Sequence, residues 1–538
     1  MSLAARCRAA VVGLALLTFF PVVTFDFSGW DDRAVIGQNP RLLEPTPEAL
    51  GWFWTHPEFH LYIPVTQTLW WLTAHLAGTE AVAGARSLAP AAFHGLNLLI
   101  HAAAAVGAFE LLRRLKFGDA PSALGAGLFA VHPLQTEGVA WAAATKDLLA
   151  GALSIAALVC HVESLRDADR PRRRLYLAGT VLFAAALLSK PSAVVVPLLA
   201  AVIDLVLLRR PIRQAAIAVG PWLLIALPCV AWTAAIQPGL QDRYVGIFDR
   251  LLIAGDALAF YLGKLFWPVR LCFDYGRTPQ AVLASSSVYL TAIVPVLLGG
   301  TCAWLWRRQR SICAGLLIFA GGVTPVLGLA PFDFQMYSTV GDHYLYLSML
   351  GPAVAVAGIL AARPAAQAIA LVVIVLLAVL AQRQAWTWRT LESMNRHTIS
   401  VNPMSWASHH NLAVALSEGN RLEEAHSTAM QALRLRPQDP YVRRTAVMVL
   451  LRQADEAAAS GRTDDATRLY EQGLAIQPDN PLLLTNLAAT LAELGRFEQA
   501  IALYERAIAA APGDSAAARA GIELLRSIRR PAPTTGPN

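Results

Sequence analysis

Charged residues are unusually scarce in this chain. Asp, Glu, Lys and Arg make up 15% of the 538 residues, whereas soluble domains carry about 25%. Hydrophobic residues reach 56% and the mean hydropathy is +0.46, which excludes a purely soluble protein because so much apolar surface has to face lipid. The scarcity ends near Trp386, after which the chain is rich in Arg, Glu and Asp. The two parts are therefore predicted to lie in two solvents, lipid and water.

The signatures of several soluble enzyme classes are also missing. The sequence has no DxD motif, HExxH motif, P-loop or Gly-rich dinucleotide fingerprint in a plausible context. A nucleotide-consuming soluble catalytic domain is therefore unsupported, and we expect no cofactor and no metal. The six cysteines are scattered without a CxxC pair or a His at ligand spacing, so we interpret them as packing residues. They are Cys7, Cys160, Cys229, Cys272, Cys302 and Cys313.

A cleavage site is missing from the first apolar run. Residues 9–25 follow Arg6 and Arg8, as in a signal sequence, but no small-x-small site precedes Trp30. The run is therefore predicted to stay in place as the first of about eleven spans that cross roughly 30 Å of hydrocarbon. The apolar runs lie near residues 9–25, 88–112, 121–134, 147–163, 175–189, 191–208, 214–236, 287–306, 311–330, 343–361 and 366–382.

The net charge of +7 is distributed as in a membrane protein rather than a nucleic-acid binder. Basic residues cluster in short loops between apolar runs, which is the positive-inside pattern, and we expect no nucleic-acid partner. The opposite face then receives the longer loops, 26–61, 132–146, 237–288 and 331–342, and everything after Trp386. The basic loops contain Arg6/Arg8, Arg113/Arg114/Lys116, Arg170 to Arg174, Arg209/Arg210/Arg213, Arg307/Arg308/Arg310 and Arg363.

Two further apolar segments would break this alternation if they crossed the membrane. They cover residues 62–78 and 250–267 and contain Trp, Tyr, His and Lys, which suits amphipathic helices in the interface plane. For the second segment a reentrant path is the alternative.

The tail after Trp386 contains a repeat. Pro403 and Pro437 are 34 residues apart, as are Pro478 and Pro512, and the middle interval of 41 indicates one repeat with a seven-residue insertion. Small Ala residues let paired helices approach, and Pro ends each second helix. We predict about three tetratricopeptide (TPR) repeats over 405–528, after a linker helix at 386–404 and before a disordered tail at 529–538. Matching positions are Leu412, Ala413, Ala425, Ala432 with Leu487, Ala488, Ala500, Ala507, and Ala466 and Tyr470 in the middle unit.

Ionisable residues collect in the loops of the predicted outer face. Asp31 and Asp32 directly follow the first span and indicate a general base and its neighbour, or else a solvated loop with an Asx turn. Lys190, between two apolar runs, is either a snorkelling lysine or a phosphate-binding lysine. His94 and His101 on one span favour interhelical hydrogen bonding over ligand binding. Ionisable groups at a membrane boundary are costly unless paired or functional. The other residues of this kind are His56, His60, Tyr62, His132, Glu137, Lys146, Asp147, Arg243, Arg277, Asp342, His343 and Tyr346.

The order of several short motifs resembles a known family. The chain is similar to the transmembrane-and-TPR (TMTC-type) protein O-mannosyltransferases over nearly its whole length, and the HP-x-x-TE-x-VA block is the most specific element. It departs from the family at Ile63-Pro64-Val65, where Arg-Pro-Leu is commoner, and at Ala144-Thr145-Lys146-Asp147, where Gly-Arg-Ala/Gly-Asp/Glu is commoner. The motifs are W-D-D-R-x-x-I-x-x-N-P (30–40), F-H-x-x-N-x-x-x-H (93–101), L-F-A-V-H-P-x-x-T-E-x-V-A (128–140), L-L-S-K-P (187–191) and D-H-Y-L-Y-L (342–347).

The resemblance implies a GT-C glycosyltransferase fold over residues 1–385, an all-α membrane bundle whose first outer loop, 26–87, carries the catalytic carboxylate. The donor would be a polyprenyl-phosphate sugar, and Asp31 matches the first member of the family's acidic pair. Asp31, with Asp32 beside it, would take a proton from the acceptor hydroxyl, and Lys190, Lys146 or Arg33 would stabilise the departing phosphate, with inversion at the anomeric carbon. The residues expected to contact substrate are His60, Tyr62, His132, Glu137, Asp147, Asp342, His343 and Tyr346.

Two other interpretations are weighed against this one. A noncatalytic membrane scaffold would use the TPR groove to bind a protein or peptide, but the ionisable cluster at one face argues against it. A lipid-linked sugar transporter is disfavoured because mid-span polar residues and an inverted repeat are missing from the sequence. The Ala- and Arg-rich composition indicates a bacterial inner membrane, with the catalytic loops and the TPR domain on the extracytoplasmic side.

Overall fold

The computed structural model describes residues 2–28, 30–82, 85–166, 172–236, 245–330 and 332–529. It divides into two compact units, Met1–Asn402 and Pro403–Asn538. Arg170, Arg243 and residues 530–538 of the predicted disordered tail lie outside the described residues.

Helices account for nearly all of the first unit, and each of the eleven predicted apolar runs lies largely in helix. Six described segments are long and apolar enough to cross a membrane, and three shorter apolar helices follow the same pattern. The predicted polytopic helical bundle is therefore confirmed, whereas the number eleven stays a prediction. The six are Leu3–Thr24, Pro90–Arg114, Ala142–Ser164, Ile212–Ile236, Val288–Leu305 and Pro364–Trp388, and the three are Pro191–Leu207, Arg310–Val326 and Leu350–Ala362.

The helices of this unit carry the numbers used below. They are α1 (Leu3–Phe19), α2 (Pro40–Leu43), α3 (Pro47–Thr55), α4 (Pro64–Ala77), α5 (Pro90–Arg114), α6 (Asp119–Val131), α7 (Thr136–Ala140), α8 (Thr145–Ser164), α9 (Arg173–Ser189), α10 (Val196–Val202), α11 (Ile212–Ile236), α12 (Ile247–Phe266), α13 (Pro279–Ala284), α14 (Val288–Thr291), α15 (Val294–Leu305), α16 (Arg310–Val323), α17 (Leu350–Ala362), α18 (Gln367–Ala385) and α19 (Leu391–Val401). Short 3-10 helices connect several of them, including Pro133–Gln135, Ala142–Ala144, Pro191–Val195 and Asp342–Leu345, and single π turns occur at Arg33–Gly37 and Ile203–Leu207.

Two predicted segments form helices that are not among the six candidate spans of the described chain, namely α4 and α12. Their placement in the interface plane stays a prediction. Between α4 and α5 the chain forms an antiparallel hairpin of β1 (Thr79–Val82) and β2 (Ala85–Leu88), which pairs Thr79 with Leu88. The hairpin is an exception to the all-helical prediction, because four-residue strands are too short to show a clear period in sequence.

Small residues let the helices of the bundle approach closely. Gly315 on α16 and Gly351 on α17 face each other so tightly that a methyl group at either position would overlap the backbone of the other helix. Gly125 on α6 lies against the carbonyl of Ala353 on α17 in the same way. Such contacts are typical of membrane helices, whose association depends on close van der Waals packing rather than on the hydrophobic effect.

Charged residues bond to one another at one end of the bundle, called the basic end here. Arg8 before the apolar part of α1 pairs with Glu110 at the end of α5, at 2.5 Å, and Arg114 pairs with the same carboxylate at 2.6 Å. Arg172, just before α9, pairs at 2.8 Å with Glu163 at the end of α8. Arg114 also lies 3.5 Å from Glu163, so residues from three of the loops predicted to share a face are linked through these two carboxylates.

The second unit is a stack of helix pairs, and the predicted TPR solenoid is confirmed. The seven-residue insertion lies in its third helix, which has 20 residues where the equivalent helices have 13. Seven residues add about two turns, so the repeat keeps its register while one helix is longer. Ala425, Ala466 and Ala500, at matching positions, are fully buried. The helices are α20 (Trp406–Glu418), α21 (Leu422–Leu435), α22 (Pro440–Ala459), α23 (Thr463–Ile476), α24 (Pro481–Glu493), α25 (Phe497–Ala510) and α26 (Ala516–Arg529).

Candidate active site

The two adjacent carboxylates of the first loop have different surroundings. Asp32 is fully buried, and its Oδ2 accepts hydrogen bonds from the backbone N–H of Ser28 at 2.8 Å and from the Ser28 hydroxyl at 2.7 Å. Its Oδ1 accepts from the backbone N–H of Ala143 at 2.7 Å. Asp32 therefore anchors the first loop to the turn that precedes α8, and most of its capacity as a proton acceptor is already in use.

Asp31 is the carboxylate that remains available. No described residue donates a hydrogen bond to its side chain, which is only partly exposed. Burial raises the pKa of Asp31, the Lys146 ammonium lowers it, and the charge of Asp32 raises it. The charge of Lys146 thus acts on Asp31, whose neighbour Asp32 is bonded to the turn that precedes α8.

Lys146 is a buried cation for which the described part of the chain offers no carboxylate within ion-pair distance. Only 8% of its surface is exposed, and its Nζ lies 4.7 Å from the centroid of the Trp141 ring. The indole N–H of Trp141 is itself buried without a hydrogen-bond acceptor in that part of the chain. A buried charge is costly unless compensated, so Lys146 and Trp141 have the chemistry of an anion-binding site.

Lys190, for which the sequence left a snorkelling and a phosphate-binding role open, is paired inside the protein. Its Nζ forms an ion pair with Asp147 Oδ1 and lies 5.1 Å from the centroid of the Tyr344 ring, and both charged residues are buried. Burial lowers the pKa of Lys190, and Asp147 raises it. The sequence did not predict this pair, because it does not show that α8 and α9 bring Asp147 and Lys190 together.

A third cluster joins the HP block to the Asp342–Leu345 turn. Glu137 Oε2 accepts from the backbone N–H of Asp342 at 3.1 Å, and its Oε1 lies 2.8 Å from His343 Nδ1. The hydroxyl of Tyr275 lies 3.0 Å from both carboxyl oxygens of Asp342. All three groups predicted from sequence here, Glu137, Asp342 and His343, are therefore in direct contact.

Both carboxyl groups of this cluster have raised pKa values. Burial raises the pKa of Asp342 to about 7, and burial together with the charge of Asp342 raises the pKa of Glu137. Burial and the ammonium groups of Lys190 and Lys146 lower the pKa of His343, which keeps its ring neutral.

Two of the residues predicted to contact substrate, His132 and Tyr346, form hydrogen bonds within the protein. His132 Nδ1 accepts from the backbone N–H of Leu134 at 3.2 Å, and its Nε2 lies 3.1 Å from the carbonyl oxygen of Leu265. The hydroxyl of Tyr346 bonds His101 Nδ1 at 3.0 Å, while His101 Nε2 bonds the carbonyl of Ala130 at 2.8 Å. The interpretation of His101 as an interhelical partner is confirmed, and His132 and Tyr346 hold elements together.

Three further predicted residues have other surroundings. His60 is exposed with a positive φ of 59°, and Tyr62 donates its hydroxyl to the carbonyl of Trp54 at 2.8 Å. No described contact joins either residue to the clusters above. Arg33 begins the π turn Arg33–Gly37 directly after the acidic pair and is half-buried.

Sequence reasoning missed the aromatic residues that complete the site. Trp141, Tyr275 and Tyr344 each contact a charged member of the clusters. Trp141 directly follows the 128–140 motif, and Tyr344 lies within the 342–347 motif. An aromatic residue inside or next to a motif was therefore the signal that the sequence offered. Among the residues that the structure describes, no group of three or more His, Cys, Asp or Glu side chains is arranged to hold a metal ion.

One family model and several named proteins are similar to this chain. A tetratricopeptide-repeat family model matches residues 457–522. A Caenorhabditis elegans protein named protein O-mannosyl-transferase F38B6.6 is 23% identical over 452 residues, which cover 79% of this chain and 62% of that protein. The human protein O-mannosyl-transferase TMTC4 is 24% identical over 488 residues, 76% of this chain and 64% of that protein. The Drosophila melanogaster Tmtc2 is 31% identical over 253 residues, 42% and 26% of the two chains.

The chain thus spans less than two thirds of the length of the first two of these relatives. Their names confirm the resemblance to the TMTC-type proteins that the motifs indicated. Among solved structures, ArnT from Cupriavidus metallidurans bound to undecaprenyl phosphate is 15% identical with a TM-score of 0.34, covering 86% of this chain and 79% of that one.

Proposed function

We propose that this chain is an integral membrane glycosyltransferase of the GT-C type. It transfers mannose or a similar hexose from a polyprenyl-phosphate donor to a hydroxyl group of a protein acceptor. One observation carries the proposal: the Lys146 charge acts on Asp31, and in the described part of the chain neither side chain has a hydrogen-bond or ion-pair partner. An available carboxylate beside an available cation is what proton removal and phosphate departure require.

The transfer is a single displacement. Asp31 accepts the proton of the acceptor hydroxyl as its oxygen forms a bond to the anomeric carbon of the sugar. The bond from that carbon to the phosphate oxygen breaks, and the phosphate leaves with the electron pair and an added negative charge. The Lys146 ammonium faces this charge. Attack and departure on opposite sides of the carbon give an inverted product.

Lys190 contributes less directly to binding of the phosphate than its motif at 187–191 indicated. Its ammonium is bonded to Asp147, so it supplies positive potential to the phosphate region and holds α8 and α9 in place. Arg33 adds a further positive charge next to the acidic pair. The TPR unit recruits the protein acceptor on the extracytoplasmic side.

Replacing Asp31 tests the proposal. Asp31→Asn is nearly isosteric and removes the base, so we expect transfer from a polyprenyl phosphate sugar to fall about 100- to 10,000-fold. The matched control is Asp26→Asn, which changes an exposed carboxylate of the same loop. Membrane insertion and thermal stability of both variants should equal those of the wild type. Wild-type turnover in Asp31→Asn would show that Asp31 is not the base, and a wild type that neither binds the donor nor transfers sugar would favour the noncatalytic scaffold.

A further inference from the structure

A narrow crevice begins beside the Lys190–Asp147 ion pair and runs between α8 and the turns at 191–195, 324–326 and 342–345. Its empty volume is about 420 Å³, including the space at its mouth. Its lining combines small and apolar side chains with the polar residues Asp147, Ser192, His343 and Tyr344. The mechanism above leaves this crevice without a role.

Asp147 lines this crevice and has one unused acceptor oxygen. Its Oδ1 is bonded to Lys190, but its Oδ2 is buried without a hydrogen-bond partner in the described chain. The side chain is only 5% exposed. A buried carboxylate oxygen without a donor is costly, and a donor from a bound molecule removes that cost.

His343 presents a second unused acceptor at the same crevice. Its Nδ1 is bonded to Glu137 at 2.8 Å, and its Nε2 has no hydrogen-bond partner among the described residues. When Nδ1 carries the ring proton and donates it to Glu137, Nε2 carries a lone pair. Glu137 is thus a positioning residue that fixes which ring nitrogen accepts.

We propose that Asp147 Oδ2 and His343 Nε2 form a subsite for the hydroxyl groups of the donor sugar. The inference rests on the proposed function, which supplies the glycosyl donor. Two acceptors without protein donors can each accept a hydrogen bond from one of two neighbouring sugar hydroxyls. They repel the phosphodiester of the donor, which has no proton to donate. The phosphate is therefore held on the Lys146 side, and the sugar is held on the crevice side.

Tyr344 links the two sides. It lines the crevice, and the Lys190 ammonium lies over its ring. The proposal places one sugar with its hydroxyls at Asp147 and His343 and its anomeric carbon toward Asp31.

Two substitutions separate sugar recognition from phosphate binding. His343→Asn keeps an amide N–H near the position of Nδ1 for Glu137 and deletes Nε2. Glu137→Gln places an N–H donor against Nδ1, so the ring proton moves to Nε2 and the acceptor is lost without a change in size. The matched control is His75→Asn on α4, which alters an exposed histidine.

The measurement is affinity in detergent for two probes, a bare polyprenyl phosphate and the same lipid carrying mannose. We expect the wild type to prefer the mannosylated lipid, and both variants to reduce that preference about three- to tenfold. Affinity for the bare lipid should change less than about twofold, and His75→Asn should match the wild type.

Three results would overturn the subsite. Unchanged preference in both variants would remove it while leaving the proposed function intact, since the bare lipid still binds. Equal weakening of both lipids would assign His343 to the phosphate. A wild type that binds neither lipid would remove the proposed function and the subsite together.

Discussion

Asp32 stabilises the first loop through three hydrogen bonds to one buried carboxylate. Asp32→Asn replaces one acceptor oxygen with an NH2 group that faces the N–H of Ser28 or of Ala143. Losing a charge-assisted bond and leaving buried groups unsatisfied costs about 2 to 4 kcal/mol. We therefore expect Asp32→Asn to lower the thermal midpoint clearly, whereas Asp31→Asn leaves it unchanged. Equal midpoints for the two variants would contradict the anchoring role.

In the proposed mechanism Lys146 acts on both the leaving group and the base. Lys146→Met removes the cation that lowers the pKa of Asp31, so that pKa rises. A base has to be ionised to act, and a higher pKa means that a higher pH is needed. The acid limb of the kcat/KM profile should move up by about one pH unit or more.

The same variant should also lose about 100-fold in kcat, because the departing phosphate loses its stabilising charge. Profiles of wild type and Lys146→Met in the same detergent check both effects. A lower rate with an unmoved acid limb would mean that Lys146 acts on the phosphate alone and is not coupled to Asp31.

The sequence pointed to single residues of the candidate site where a charged residue type is rare in its surroundings. Asp31, Lys146 and Lys190 stand out because charge is rare in an apolar stretch. Their partners were not predictable, since the contact of Asp32 with Ala143 and that of Lys190 with Asp147 join distant parts of the chain. Lys190 shows the consequence, because a paired and an unpaired lysine look the same in sequence.

At the scale of elements, the Lys190–Asp147 pair fastens α9 to α8. Removing one member of a buried ion pair leaves the other charge buried and unpaired, which lowers stability by about 3 to 5 kcal/mol. Replacing both members with apolar residues often leaves stability unchanged. We expect Lys190→Met to lower stability strongly and Lys190→Met/Asp147→Leu to recover most of the loss. Unfolding of the three proteins in a denaturing detergent series measures this. Additive losses in the double variant would argue against a direct pair.

Helices were the elements that sequence predicted best. A run of apolar residues in lipid has to be helical because its backbone groups need internal partners, and all eleven runs lie largely in helix. The sequence did not predict the hairpin before α5, because strands of four residues are too short to show a period. It also did not show that the seven-residue insertion lengthens α22, because an insertion within a helical pattern leaves no distinct local signal.

At the scale of the whole molecule, the site and the basic end lie at opposite ends of α8. Lys146 is in the first turn of that helix and Glu163 in its last, and 17 residues of helix span about 25 Å. That distance is most of a bilayer's hydrocarbon thickness. The charges that anchor the basic end come from Arg8, Arg114 and Arg172, as the positive-inside rule predicts for a cytoplasmic face.

The orientation of the chain can be tested directly. If the basic end is cytoplasmic, the N-terminus is cytoplasmic, while Asp31 and the TPR unit face the other side, which requires an odd number of spans. Single cysteines at exposed positions, Gln38 in the first loop and Arg307 in a basic loop, should react oppositely with a membrane-impermeant thiol reagent in intact cells, on a background with the native cysteines replaced. A reporter enzyme that works only outside the cytoplasm should be active when it is fused after Asn538. Labelling at Arg307 but not at Gln38, with this reporter inactive, would invert the topology and place Asp31 where no extracytoplasmic acceptor can reach it.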